Sequence, residues 1–222
     1  MTPSAVDARI RVARLTPEGL TERAILDERS DELAASILSP LDDTQRAELV
    51  SAMRTVERLI ATSLVELRQV DPASSDAQRC LRAYVAELNR RAPQRGFDPS
   101  KGATADPHEV RRPRGAFVLA FLRGEAIGCG AVKHQPDKVT DIKRMWVAES
   151  ARGLGLGRRL LEHLERLACE HGSSEVHLET SDVLPEAIAL YRSSGYAEVP
   201  PFNDEPFADR WFAKPLLDES DS

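Results

Sequence analysis

Cysteine is scarce in this chain. Cys80, Cys129 and Cys169 are the three in 222 residues, far apart and without a CxxC pair. That spacing argues against a disulfide framework and against a zinc site, and leaves buried, reduced thiols as the expectation. An excess of positive charge is also missing, because the formal charge is −6. The chain therefore offers no basic footprint for non-specific phosphate binding, and DNA is not the default partner. No apolar run approaches the roughly 20 residues of a membrane span, and the N-terminus has no signal-like apolar core, so a cytoplasmic protein with no membrane partner is expected. His163 and His171 lie eight residues apart with no HExxH spacing, which makes them solvated helix residues rather than metal ligands, and no metal is expected.

What is present is a chain able to bury a core, with 41% hydrophobic and 30% charged residues. Residues 9–15, RIRVARL, alternate like a strand and lead to Thr16 and Pro17, a cap and first-position pair that predicts a helix to about Leu38. Leu49, Met53, Val56 and Ile60 then recur at helical spacing, the stripe of a helix packing on another helix. The segment DPASSD (71–76) reads as linker and cap before a third amphipathic helix carrying Ala77, Cys80, Leu81, Tyr84, Val85 and Leu88. Residues 91–115 read as loop. From Ala116 strands and helices alternate: AFVLAFL and AIGCGAV form a hairpin with Gly124 in its turn, followed by DIKRMWV, a helix over 157–171, VHLET, a helix over 185–194, YAEV and RWFAKPL. The class predicted is α/β (α+β), with mixed strand directions. Cys129 between two glycines reads as a small buried strand residue, its neighbours marking a bulge or close backbone approach.

The stretch RGLGLGRRLL opens the 157–171 helix, five residues after the last valine of DIKRMWV. A strand-to-helix loop concentrates unpaired N–H groups, and the helix dipole adds partial positive charge, so the place favours anions. Gly153, Gly155 and Gly157 remove side chains that would keep a phosphate away, while Arg152, Arg158 and Arg159 offer cationic hydrogen bonds. The dinucleotide fingerprint fails at Arg158 and Leu160, and no Gly-Lys-Ser/Thr follows for a P-loop.

Arg152-x-x-Gly155-x-Gly157, with the strand before it and AIALYRSSGY (187–196) downstream, resembles the GNAT family of N-acetyltransferases. The resemblance covers about half the chain, from near Gly115 to Leu217. It implies a GNAT-like mixed twisted sheet flanked by helices, acetyl-coenzyme A as cosubstrate without a metal, and a pyrophosphate held by the amides of Arg152, Gly153, Gly155, Gly157 and Arg158. It also implies that DIKRMWV and VHLET splay apart, with Met145 and Val147 pairing the pantetheine arm. The reaction needs a base for the acceptor ammonium, whose reference pKa is near 10.4, and an acid for the departing thiolate. Asp141 stands at the strand position where similar histone-type members carry a catalytic glutamate, and Glu179 is the second candidate. Tyr191, four residues before Gly195-Tyr196, matches the family tyrosine near the thioester sulfur. Leu184 stands where many relatives carry a cofactor-contacting asparagine, which puts that one contact in doubt.

The N-terminal third carries a second resemblance. RIRVARLTPEGL with two long helices is similar to the end of a MarR-type winged-helix regulator, and AMRTVERLI, GCGAVK, IKRMWV and FNDEPFADRWF look like segments of MarR-GNAT fusions. The recognition helix has no room before Arg9, and residues 1–70 carry 9 basic against 12 acidic side chains. Residues 1–70 are thus expected to be a truncated winged-helix remnant, a helical appendage suited to homodimerisation, and residues 71–222 the acetyltransferase domain. The expected activity is acetyl transfer from acetyl-coenzyme A to a primary amine by direct attack in a ternary complex. The alternative is a MarR-type regulator or metabolite-sensing interaction protein. The acceptor side is expected from loops 92–115 and 199–208 and the helix around Tyr84.

Overall fold

A computed structural model describes residues 2–3, 11–12, 15–98 and 107–216. Most of the expected 9–15 strand and the middle of the 92–115 loop lie outside these residues. Two compact units divide the chain between Val56 and Glu57.

In the first unit two short strands, β1 (Thr2–Pro3) and β2 (Arg11–Val12), pair antiparallel. Helix α1 (Pro17–Leu38) begins as its sequence predicts: the Thr16 hydroxyl accepts from the Gly19 N–H at 3.1 Å, and Pro17 occupies a position that needs no donor. No residue of α1 is buried. Helix α2 (Asp43–Ser63) is closed at its start by reciprocal bonds between Asp42 and Gln45. Its expected packing stripe lies open, with Met53 60%, Val56 47% and Ile60 55% exposed. The periodicity foretold the helix but not a partner for its apolar face.

The second unit is built on a seven-stranded sheet in the order β3-β4-β5-β6-β7-β9-β8. Its strands are β3 (Glu66–Val70), β4 (Gly115–Leu122), β5 (Glu125–His134), β6 (Val139–Val147), β7 (Glu175–Thr180), β8 (Ala197–Val199) and β9 (Arg210–Pro215). Every pairing is antiparallel except β6 with β7. Glu66–Val70, assigned by the sequence to the helical N-terminal part, instead form an edge strand paired along β4. Their five residues lack an inward apolar set long enough to announce a strand.

Helix α3 (Ser75–Arg91), capped by the Ser74 hydroxyl, covers one face of the sheet. Helices α4 (Leu156–Glu170) and α5 (Pro185–Ser193) cover the other. The central strand β4 is buried on both sides, so its side chains alternate between two cores. Phe117 and Leu119 meet Ala77 and Cys80 of α3. Val118 meets the face of Leu160, Leu161 and Leu164 on α4. Burial of each of those leucines contributes roughly 1.5–3 kcal/mol. Gly130 lets α4 come this close, because a Cβ there would stand 2.7 Å from Leu164 Cδ1. Cys80 and Cys129 are buried as expected, whereas Cys169 is exposed.

Candidate active site

The site begins where the sheet opens. Strands β6 and β7 pair only from Val139–Asp141 to Glu175–His177. Beyond that point β7 continues to pair with β9 and β6 with β5, so Ile142–Val147 present an edge that β7 no longer meets. A bulge in β6 accentuates the divergence. Cys129 faces Trp146 and Ala131 faces Lys143, leaving Arg144 and Met145 opposite Gly130 alone. Arg144 takes the left-handed φ of 61° that this arrangement demands, a conformation costing about 1–2 kcal/mol in a residue with a Cβ.

Two cavities occupy the opening. One, about 430 Å³, runs from Met145 and Val147 past Arg152, Gly153, Gly155 and Gly157 to Leu190. The other, about 290 Å³, lies between Tyr84, Arg144, Glu179, Glu205 and Phe207. Tyr84, Leu88, Met145, Leu184, Ala187 and Tyr191 line both.

The larger cavity ends on the N-terminus of α4. The first main-chain bond there runs from the Arg159 N–H to the Gly155 carbonyl at 3.1 Å. The N–H groups of Leu156, Gly157 and Arg158 therefore precede the helical ladder, and no side chain caps them. Gly155 sits at φ 74°, and a Cβ built on it would meet no protein atom within 4 Å. The loop thus bares its backbone toward open space. The flanking arginines behave differently from expectation, since each is held by protein groups. Arg152 pairs with Glu87 and donates to the Val147 carbonyl at 3.2 Å. Arg158 donates to Ser193 Oγ at 2.8 Å, and Arg159 to the Thr62 carbonyl at 2.6 Å. Val147, expected with Met145 to pair the pantetheine arm, thus has its carbonyl accepting from Arg152.

Glu87 anchors this end and was not foreseen. It is buried on α3 and accepts from Trp146 Nε1 at 2.9 Å and from Arg152, while Arg91 stands 2.8 Å from its other oxygen. Burial pushes its carboxyl up, but these hydrogen bonds and charges outweigh that and hold it below its ordinary value. An acid three residues after Tyr84 on a face otherwise apolar was the available signal.

Tyr191 stands at the junction of the cavities, 5% exposed, with its ring against Tyr196 and Phe212. Burial, with the neighbouring Tyr84 and Glu179, raises its phenol above the ordinary range, so it stays protonated. Glu179 lines the smaller cavity and pairs with Lys143. Asp141 does not join them. It sits in the segment where β6 is still paired, accepts from Gln135 Nε2 at 2.7 Å, and lines a hollow with His177 and Phe202 that shares Lys133, Lys143 and Glu205 with the smaller cavity. Sequence position placed it on the right strand, but the strand opens only after it.

Among the described residues, no group of three His, Cys, Asp or Glu side chains is arranged to hold a metal. No helix there is long and apolar enough to cross a membrane.

A mixed sheet opened at one parallel pair, with a helix N-terminus below the opening, is the arrangement of an acyl-carrier-binding transferase fold. The model of the Acetyltransferase (GNAT) family matches residues 81–196, and the chain belongs to that family. It is similar to an IAA acetyltransferase of Azospirillum brasilense, 39% identical over 98 residues that make up 44% of this chain and 64% of the relative. It is also similar to a streptothricin acetyltransferase of Streptomyces lavendulae, 32% identical over 103 residues, 46% of this chain and 52% of the relative. The chain spans about half to two thirds of the length of such relatives. An acetyltransferase of the GNAT family from Staphylococcus aureus shares the fold, with a TM-score of 0.60 at 18% identity, over 69% of this chain and 99% of the other.

Proposed function

We propose that the chain transfers an acetyl group from acetyl-coenzyme A to a primary amine by direct attack in a ternary complex. The observation that carries this is the pair of cavities meeting at Tyr191, one ending on bared main-chain amides and the other on charged side chains. The amides of Leu156, Gly157 and Arg158 and the open loop at Gly153 and Gly155 suit a pyrophosphate. Met145, in the bulge outside the β5 ladder, lines the path of the pantetheine arm with Val147. Arg152 and Arg158 contribute by fixing the loop, Arg152 through Glu87 and Arg158 through the end of α5.

Coenzyme A supplies the acetyl group as a thioester. The amine nitrogen would bond to the carbonyl carbon as the carbon–sulfur bond breaks, the Tyr191 phenol giving its proton to the leaving thiolate and taking back the second proton that the nitrogen sheds on becoming an amide. Before attack the ammonium loses a proton to Glu205, whose carboxyl is raised by burial and by the charge of Glu179 beyond the lowering by Lys143 and Arg144. Glu179 and Glu205 take this role in preference to Asp141, which does not line the smaller cavity.

The test is calorimetry with coenzyme A, followed by thiol release from acetyl-coenzyme A over a panel of polyamines, aminoglycosides, amino acids and peptide N-termini. Absence of binding at millimolar coenzyme A would refute the proposal. The transferase domain is proposed to be residues 57–222, so that it keeps the edge strand β3 that an expected start at 71 would cut off, and the helical part before it is proposed to serve homodimerisation. The exposed Met53 and Val56 support the latter. Sedimentation of the Met53→Glu/Val56→Glu variant should show half the native mass, and an unchanged mass would remove it. The cytoplasm is the proposed location.

A further inference from the structure

The smaller cavity holds an imbalance that its own residues do not resolve. Among the described residues six charged side chains line it: Glu109, Lys133, Lys143, Arg144, Glu179 and Glu205. Four of them are matched, Lys133 with Glu109 at 2.8 Å and Lys143 with Glu179. The two left over are one cation and one anion. Arg144 is 8% exposed, and its Nη1 is buried without a hydrogen-bond partner. Glu205 Oε1 is likewise buried and unpartnered. The two do not pair with each other, although each is close enough to shift the other's titration.

A buried guanidinium nitrogen without a partner forfeits its hydration and gains no hydrogen bond in return, a cost of about 1–3 kcal/mol or more on a charged group. Here the backbone also adopts the left-handed conformation at Arg144. Burial pulls the guanidinium below its ordinary value, yet an arginine remains charged, so relief must come from an anion. The lone carboxylate beside it asks for a cation in the same small space.

We infer that the acceptor is a free amino acid, its carboxylate held by the Arg144 guanidinium and its ammonium by Glu205 beside Tyr191. A zwitterion brings the two charges that the cavity lacks. A plain alkylamine or polyamine satisfies only Glu205 and leaves Arg144 unpaired. This inference rests on the acetyl-transfer proposal for its orientation, with the ammonium toward the shared wall of the two cavities. Arg144 lines the smaller cavity and not the larger, so it selects the acceptor without touching the carrier.

Two arms separate this inference from the transfer reaction itself. In the binding arm, the twenty amino acids, their carboxamides and the matching decarboxylated amines are titrated into protein saturated with coenzyme A. At least one amino acid should bind about 10- to 100-fold more tightly than its carboxamide, the range for loss of one charge-assisted pair. Arg144→Met should abolish the difference, Arg144→Lys should restore part of it, and coenzyme A affinity should stay unchanged in both. In the turnover arm the same preference should appear in KM rather than kcat. Melting temperature checks the fold, and Arg144→Met, which removes an unpaired buried charge, should not lower it. Equal binding of acid and amide, or a preference that survives in Arg144→Met, overturns the inference. Selective binding of an amino acid without thiol release would sustain the subsite and overturn the transfer proposal instead.

Discussion

The two ends of the cleft recognise by different means. At the α4 end the polar groups offered are main-chain amides, supported by Gly153, Gly155 and the helix start, and the side-chain charges there are consumed in holding the loop. At the other end the charged groups are six side chains drawn from three strands and two loops. A main-chain site depends on conformation and tolerates many side chains. A side-chain site depends on identity, residue by residue. The first arrangement suits a part that every member of a family must hold, and the second suits a part that differs among them.

Substitutions can break that contrast, and the largest effect is expected at Gly155. A β-branched residue at φ 74° is strained and projects into the space above the amides, so Gly155→Val should weaken coenzyme A binding by roughly 100-fold while amino-acid recognition persists. Calorimetry with each ligand separately measures both. Tyr191→Phe acts on the junction. It should lower kcat about 100-fold and leave both affinities alone. Because burial raises the phenol, the Tyr191-dependent rate should show no alkaline loss below pH about 10. A descending limb nearer neutrality that vanishes in the phenylalanine variant would count against the acid role.

Glu87→Ala sharpens the comparison from the other side. It leaves Trp146 without its acceptor and takes from Arg152 and Arg91 a carboxylate that they share, leaving them the Val147 carbonyl and Glu186, and should lower stability by about 1–3 kcal/mol in urea unfolding. Any kinetic effect should appear in the KM for acetyl-coenzyme A, not in that for the acceptor.

The smallest effect concerns Asp209. Its carboxyl accepts from Arg95 at 2.7 Å, from the Asp182 N–H at 2.9 Å and from the Ser181 hydroxyl at 2.8 Å. The Arg95 hydrogen bond, reinforced by those of Asp182 and Ser181 against a raising effect of burial, holds it at about 2, below the ordinary 3.8. The depressed value means that this stabilisation is complete above pH 4 and is lost as pH falls toward 2. Acid titration of stability should reveal about 1–2 kcal/mol in that window, absent from Asp209→Asn.

Legibility followed the same division. The strand, glycine loop and helix at 141–171 were readable because their signal is local. The glycine spacing, the helical stripe of Leu160, Leu161 and Leu164, and the glycines flanking Cys129 each report on neighbours a few residues away. The hairpin turn at Gly124 was equally plain, with Arg123 and Gly124 both at positive φ. Tyr84 and the loop near 199–208 were placed on the acceptor side, and both line the smaller cavity.

What escaped depends on partners far along the chain. The arginines beside the glycines look like phosphate ligands until Glu87, Ser193 and Thr62 are seen to hold them. Arg144 looks like any charged residue in a strand until the bulge turns it and the cavity leaves it unmatched. Asp141 and Glu179 differ by which side of the splay they occupy, and no periodicity marks where two strands part. The edge strand Glu66–Val70 escaped for the same reason, its pairing with β4 being the only thing that makes it a strand.

The Arg95–Asp209 contact has a bearing on how this scaffold could be adapted. It fastens the stretch ending at β9 to the turn after α3, while Asn203 Oδ1 accepts from Trp211 Nε1 at 2.9 Å within the same stretch. Residues 204–208 therefore hang between fixed posts. New sequences could be grafted over residues 206–208, with Glu205 kept, to retarget the enzyme, the glycine loop and the rest of the sheet being left untouched.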